Sequence, residues 1–218
     1  MEALQAIEGV FLFSEADSIV AFAERHRMRL HGHTLVWHNQ LPAWINNYSG
    51  SKSDWILILE KHVKTVVGHF GNTVTSWDVV NEAFEDDGSL RKNISFENIV
   101  EDYIELAFKF SNEVNKDALL FYNDYNIAQK TKKCEAIVEY LRVLRSKGIR
   151  IDGIGMQMHI HLSYPSNAKI GSAFNAISEA DFLVHISDID ISLNTSGEMR
   201  LTENKLQKQG EKMFALVS

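Results

Sequence analysis

The chain has 218 residues, 45% hydrophobic and 23% charged, with a formal net charge of -7 and one cysteine. That is enough chain to bury a full core as one domain, and no basic block exists to attract nucleic acid or an anionic membrane surface. Cys134 alone excludes an internal disulfide framework and a cysteine zinc cluster, and no run approaches the ~18 apolar residues of a membrane span. The opening MEALQAIEGV has an acid at position 2 and no long apolar run, so it is not a signal peptide.

In chain order, helical periodicity appears first in SEADSIVAFAERH, then SDWILILEKHVKTVVGHF and SFENIVEDYIELAFKFSNEV. It returns in KKCEAIVEYLRVLRSKG, NAKIGSAFNAISEA and LTENKLQKQGEKMFAL. Ser14, Ser53 and Ser95 are the expected N-caps, and Gly148 the expected stop. Between the helices lie five strand candidates: MRLHGHTLVW, TVTSWDVV, ALLFYND, IDGIGMQMH and FLVHISDIDI. They recur every roughly 32 to 43 residues without a linker, the rhythm of βα units. Apolar strands joined by helices imply a parallel sheet, doubly wound or closed into a barrel. No G-x-G-x-x-G joins a strand to a helix, which removes the dinucleotide fold. Polar residues gather at the C-terminal strand ends, which favours an α/β fold of the (β/α)8 TIM-barrel type with its site on that rim. Five strands are fewer than eight, so the barrel is read as incomplete.

Two stretches carry candidate chemistry. TSWDVVNEAF ends a strand on Glu82, expected on the same face as Val80, and HISDIDISLN reads as a buried strand bearing Asp188 and Asp190. A carboxylate in an apolar strand is costly unless paired or working. Two carboxylates across a cleft are the minimal equipment of glycoside hydrolysis, with Asn81 free to hydrogen-bond a sugar hydroxyl. His31, His33, Leu35 and Trp37 share one face of HGHTLVWH on strict alternation. A rival reading makes His31, His33, His159, His161 and Asp188 the ligands of a metal-dependent hydrolase. Against it, His31 should lie too deep for the rim. Trp37, Trp44 and Tyr125 supply rings suited to pyranose faces, while Met156, Met158 and Trp55 read as core, and Asp86 to Gly88 as a solvated turn.

From EALQAIEGVF through HGHTLVWHNQLPAW, WDVVNEAF, FYNDYN, GIGMQMH and HISDIDIS, the chain resembles glycoside hydrolase family 10, the retaining endo-β-1,4-xylanases. The resemblance implies that Glu82 is the acid/base and that Asp188 occupies the nucleophile position. It implies substrate contacts by His33, Trp37, Gln40, Asn81, Asn123 and Tyr125. Gln157 and His159 would steady the nucleophile and its sugar, with Asp190 in support. The family motif T-E-L-D is replaced by Ser187-Asp188-Ile189-Asp190, one methylene shorter at the nucleophile. By the same matching, residues 1–218 form a single catalytic domain that lacks the family's first two strands and its last. The expected partner is xylan or a xylo-oligosaccharide, without cofactor or metal, with self-association through unpaired strand edges. The family implies an extracellular or periplasmic location. A remnant that binds xylan without cleaving it is the alternative from another functional class.

Overall fold

The computed structural model describes residues 1–193 and 200–217. In chain order its elements are α1 (Ser14–Arg25), β1 (Leu30–Val36), α2 (Ala43–Asn46), α3 (Lys52–Phe70), β2 (Val74–Asn81), α4 (Ile94–Ile99) and α5 (Asp102–Val114). There follow β3 (Leu119–Tyr125), α6 (Thr131–Ser146), β4 (Gly153–His161), α7 (Asn167–Ser178), β5 (Leu183–Ser192) and α8 (Glu203–Val217). All five expected strands form, in one parallel sheet of order β1-β2-β3-β4-β5. Sequential order with a helix in each connection is the curved sheet of a half-barrel.

Helix boundaries follow hydrogen-bond chemistry more closely than the first serine in sight. The α3 cap is Ser51, not Ser53: its hydroxyl accepts from Asp54 N while the Asp54 carboxylate accepts from Ser51 N, a complete capping box. Asn93, not Ser95, caps α4 by accepting from Phe96 N. The single long helix expected over 95–114 is broken at Val100, which adopts φ 68°. Ser14 begins α1 without capping it. Gly148 does stop α6, at φ 86°, with its N–H donating to Arg145 O.

Core packing explains why the helices settle where they do. Trp55, Leu59, Val63, Val66, Val67 and Phe70 repeat on one face of α3, and Ile104, Ala107 and Phe108 repeat on α5. Met156 and Met158 are wholly buried, as expected of the helix-facing side of β4. On the opposite side of β4, Gly153 and Gly155 make space for neighbours. A Cβ at Gly153 would lie 2.3 Å from the Phe121 ring, and one at Gly155 would lie 2.5 Å from Asn123 Oδ1. These two glycines let the β3 side chains occupy the interior beside β4.

The sheet is not buried evenly. β3 and β4 are mostly enclosed, but β5 is open along most of its length, and Asp188, Ile189 and Asp190 are exposed. HISDIDISLN is therefore not the buried strand its apolar alternation suggests. Among the described residues β1 and β5 each pair on one side only, so the acids of β5 keep their hydration. Strict alternation also fails in four places, with register shifts between Leu30 and His31, between His33 and Val36, between Asp78 and Val80, and in β5 opposite Met156 and Gln157. Leu35 consequently joins the buried apolar cluster while His31 and His33 do not. A Gly155→Ala substitution is expected to destabilise the fold by about 1 to 3 kcal/mol through overpacking against Asn123. Urea unfolding checks this; an unchanged midpoint would show that the Asn123 side chain moves freely.

Candidate active site

Glu82 is built from its backbone outward. It follows the last residue of β2 and adopts φ 57°, a left-handed conformation uncommon for a non-glycine residue. Three groups hold it there. Its N–H donates to Asn123 O at 2.9 Å, its carbonyl accepts from Arg91 Nε at 3.0 Å, and the next N–H, of Ala83, donates to the Tyr122 hydroxyl at 2.9 Å. Val80 stays in the core, so Glu82 does not share its face. The turn redirects the carboxylate into a cleft of about 460 Å³ lined by Trp37, Tyr125, Gln157, His159 and Arg91 among others. There Oε2 accepts from Trp37 Nε1 at 2.9 Å and Oε1 from Gln157 Nε2 at 3.1 Å.

Behind this turn lies a buried ionic network. Tyr122 donates to Asp124 Oδ2, and Asp124 Oδ1 meets Lys133 Nζ at 2.8 Å, with both charged side chains fully buried. Lys133 Nζ also lies 3.8 Å from the centre of the Tyr125 ring, whose hydroxyl accepts from Arg91 at 2.8 Å. Burial pushes the Asp124 carboxyl up to about 6, against the opposing pull of Lys133. The sequence reading passed over Arg91, Tyr122, Asp124 and Lys133. An acid at the end of ALLFYND gave the same signal as Asp188, but nothing about Lys133 in a helical run foretold full burial.

One layer deeper, Asp78 joins two imidazoles. His33 Nδ1 lies 2.8 Å from Asp78 Oδ2, and His31 Nε2 lies 3.0 Å from Oδ1. Burial raises the Asp78 carboxyl, but the two imidazoles outweigh that and leave it below the ordinary range. His33 is shifted upward, chiefly by its hydrogen bond to Asp78 and in spite of partial burial, with Asp188 and Glu82 adding smaller pulls. A single imidazole thus feels both candidate carboxylates. Asp78 was also missed, although WDVV places an acid inside an apolar strand four residues before Glu82.

The remaining site residues divide. Asn81 is buried, and its amide meets that of Gln157 at 3.0 Å. Asn123 is wholly buried, accepting at Oδ1 from the Ser187 hydroxyl at 2.8 Å. The β5 register shift places Asp188 opposite Gln157 and Asp190 opposite His159. Gln157 nevertheless bonds to Glu82, not to Asp188, so its steadying contact falls on the other acid. His159 Nδ1 contacts the Asp190 carboxylate. Gln40 is exposed outside the cleft lining, its carbonyl accepting from Glu2 N. Trp44 is half-buried on the core and donates to Gln5 O, also away from the cleft. Asp86 is more than a solvated turn residue, since it accepts from Asn126 and lies 3.8 Å from Lys133. The five-residue metal set is not assembled: His31 and His33 clasp Asp78, and His159 meets Asp190.

A parallel half-barrel whose C-terminal rim brings an acid, aromatic rings and amides into one cleft defines an α/β-barrel architecture with its candidate site at the strand ends. The family model described as "Glycosyl hydrolase family 10" matches residues 1–218. Endo-1,4-beta-xylanase B of Thermotoga neapolitana is 41% identical over 91% of this chain and 57% of its own length. Beta-1,4-xylanase of Dictyoglomus thermophilum is 38% identical over 93% and 58% respectively. Xylanase 10B from Thermotoga petrophila RKU-1, solved with xylobiose, superposes with a TM-score of 0.93 at 36% identity, covering 99% of this chain and 65% of that one. A mutant of Xylanase10C from Cellvibrio japonicus, solved with xylopentaose, gives 0.95 at 33% identity, covering 100% and 46%. The chain belongs to glycosyl hydrolase family 10. It spans 57% of the length of the first of these curated relatives.

Because Asp78 raises the pKa of His33, the stability that their pairing adds is fully present below about pH 6.5 and is lost as pH rises through the folded-state value. Asp78→Asn is expected to move the His33 titration downward. Imidazole NMR across pH 5 to 9 reads this directly, and an unmoved His33 midpoint would refute the coupling.

Proposed function

We propose that this chain is a xylanase-like glycoside hydrolase domain that cleaves β-1,4-xylan with retention of anomeric configuration. The observation that carries the reading is the Glu82 carboxylate, held in the cleft by Trp37 and Gln157 on a turn fastened to β3 and Arg91. The xylobiose and xylopentaose complexes of the structural relatives support the substrate class.

In this mechanism Glu82 protonates the glycosidic oxygen as Asp188 attacks the anomeric carbon, forming a glycosyl-Asp188 ester. Glu82 then takes a proton from water as that water attacks the anomeric carbon and displaces the Asp188 carboxylate, releasing the sugar. Trp37 and Tyr125 offer apolar rings to the pyranose faces, while His33, Asn81, Asn123, Gln157 and His159 hold hydroxyls or one another. Gln40 belongs to the same proposed set from outside the cleft lining. Asp190 fixes the His159 ring beside the attacked sugar. His33, whose pKa is raised chiefly by Asp78, also feels the charges of Asp188 and Glu82.

The aspartate at position 188 weakens the first step. Retaining carboxyl pairs stand about 5 to 5.5 Å apart, and one lost methylene withdraws the oxygens by roughly 1 to 1.5 Å. A displacement of that size costs on the order of 10²-fold in rate. Asp188→Glu is therefore expected to accelerate reducing-sugar release from xylan, and Glu82→Gln to suppress it in both backgrounds. Unchanged or slower release by Asp188→Glu would contradict the spacing argument. Xylan retardation in affinity gels with no sugar release from any variant would assign the cleft to binding alone.

A further inference from the structure

The interior of the sheet holds a second polar cluster, in which the proposed reaction uses neither His31 nor His185. His31 on β1, Asp78 on β2 and His185 on β5 each offer a ligand atom, and these atoms all lie within 4.8 Å of one another. His31 and His185 meet edge to face with ring centres 4.4 Å apart. Since β1 and β5 are the two outer strands of the sheet, this is where its curvature brings opposite edges into contact.

One atom in this cluster, His185 Nδ1, is buried without a hydrogen-bond partner, while His31 Nε2 and Asp78 Oδ1 have only each other. Asp78 itself is completely buried. Its Oδ1 faces His31 Nε2 at 3.0 Å, while its Oδ2 is engaged by His33. His31 Nδ1 lies 2.7 Å from the Ser76 hydroxyl, so the opposite ring nitrogen is the one turned toward Asp78. Native structures rarely leave a buried nitrogen such as His185 Nδ1 without something to satisfy it.

We propose that His31, Asp78 and His185 bind one zinc-class divalent cation that clips β1, β2 and β5 together across the interior. Two imidazoles and one carboxylate are a donor set suited to Zn²⁺ and not to Mg²⁺ or Ca²⁺, which take oxygen ligands. Bonds of about 2.0 to 2.2 Å put tetrahedral ligand atoms roughly 3.4 Å apart, within reach of this cluster by side-chain rotation. The Ser76 hydroxyl on His31 Nδ1 supplies the outer hydrogen bond that fixes a ligating imidazole, and His33 does the same for the carboxylate. The fourth position is left to water. The ion's role is structural, since it joins β5 to β1 and β2, which the sheet does not pair with β5.

The test uses the intact chain freed of metal and titrated with zinc sulfate, with calorimetry for stoichiometry and thermal melting for stability. One equivalent is expected to bind and to raise the melting temperature, because a ligand held only by the folded state stabilises it. His31→Asn and His185→Asn are expected to abolish the rise, Ser76→Ala to weaken binding on the order of 10- to 100-fold, and His69→Asn on the surface to change nothing. Zinc affinity and melting shift equal to wild type in both His31→Asn and His185→Asn would overturn the site. Should those variants fail to fold, ring nitrogen NMR of the wild type decides. Zinc-dependent shifts at His31 and His185 support the clip, and their absence refutes it. None of these readouts depends on xylan hydrolysis.

Discussion

The position of one backbone turn governs the rest of the cleft. Glu82 can present its carboxylate beside Trp37 and Gln157 only while its φ stays at 57°, a conformation that costs free energy for a side chain of this kind. The compensation comes from three hydrogen bonds to groups that are themselves immobile: Asn123 O in a central strand, Arg91 Nε, and the Tyr122 hydroxyl. Tyr122 is fixed in turn by Asp124, and Asp124 by the fully buried Lys133. A buried ion pair of this kind adds little net stability, and removing one partner would strand the other charge. Its value here is geometric. It anchors the floor beneath the acid, and Lys133 against the Tyr125 ring carries the same order out to the cleft wall.

A second chain of contacts runs beneath the first. Asp78 orients His33, and the field at His33 includes both Glu82 and Asp188, so the protonation of one imidazole is linked to the charge at both proposed catalytic positions. The two acids nevertheless sit in different surroundings. Glu82 is braced by hydrogen bonds in a cleft, whereas Asp188 lies exposed on a strand with a neighbour on one side only. The account therefore places the rigid half of the chemistry on β2 and β3 and the loosely held half on β5. Shortening the acid on the looser side compounds that asymmetry.

Much of this was legible in the residues. Five apolar runs ending in polar groups gave all five strands within two residues at each end, because burial on both sides leaves a continuous apolar signature. The parallel connection followed from the intervening helices. Register shifts and turns were not legible: alternation alone put Leu35 with the histidines and Glu82 with Val80, but an extra residue in β1 undoes the first pairing and the left-handed turn at Glu82 the second. The exposure of β5 was also hidden, since Ile186, Ile189 and Ile191 look alike whether or not another strand covers them. Partner choice was the other blind spot. Gln157 was expected to steady Asp188 and instead reaches Glu82, while Arg91, Asp78 and Lys133 act through contacts 9 to 45 residues away in no periodic pattern.

In the proposed mechanism a braced Glu82 and a short, exposed Asp188 still perform double displacement. The stereochemistry of the first product tests it most directly. Proton NMR of xylo-oligosaccharide cleavage, followed before mutarotation, is predicted to show the β-anomer appearing first. An α-anomer formed first would mean that water attacks directly across a wider carboxylate gap, and would contradict the assignment of Asp188 as nucleophile.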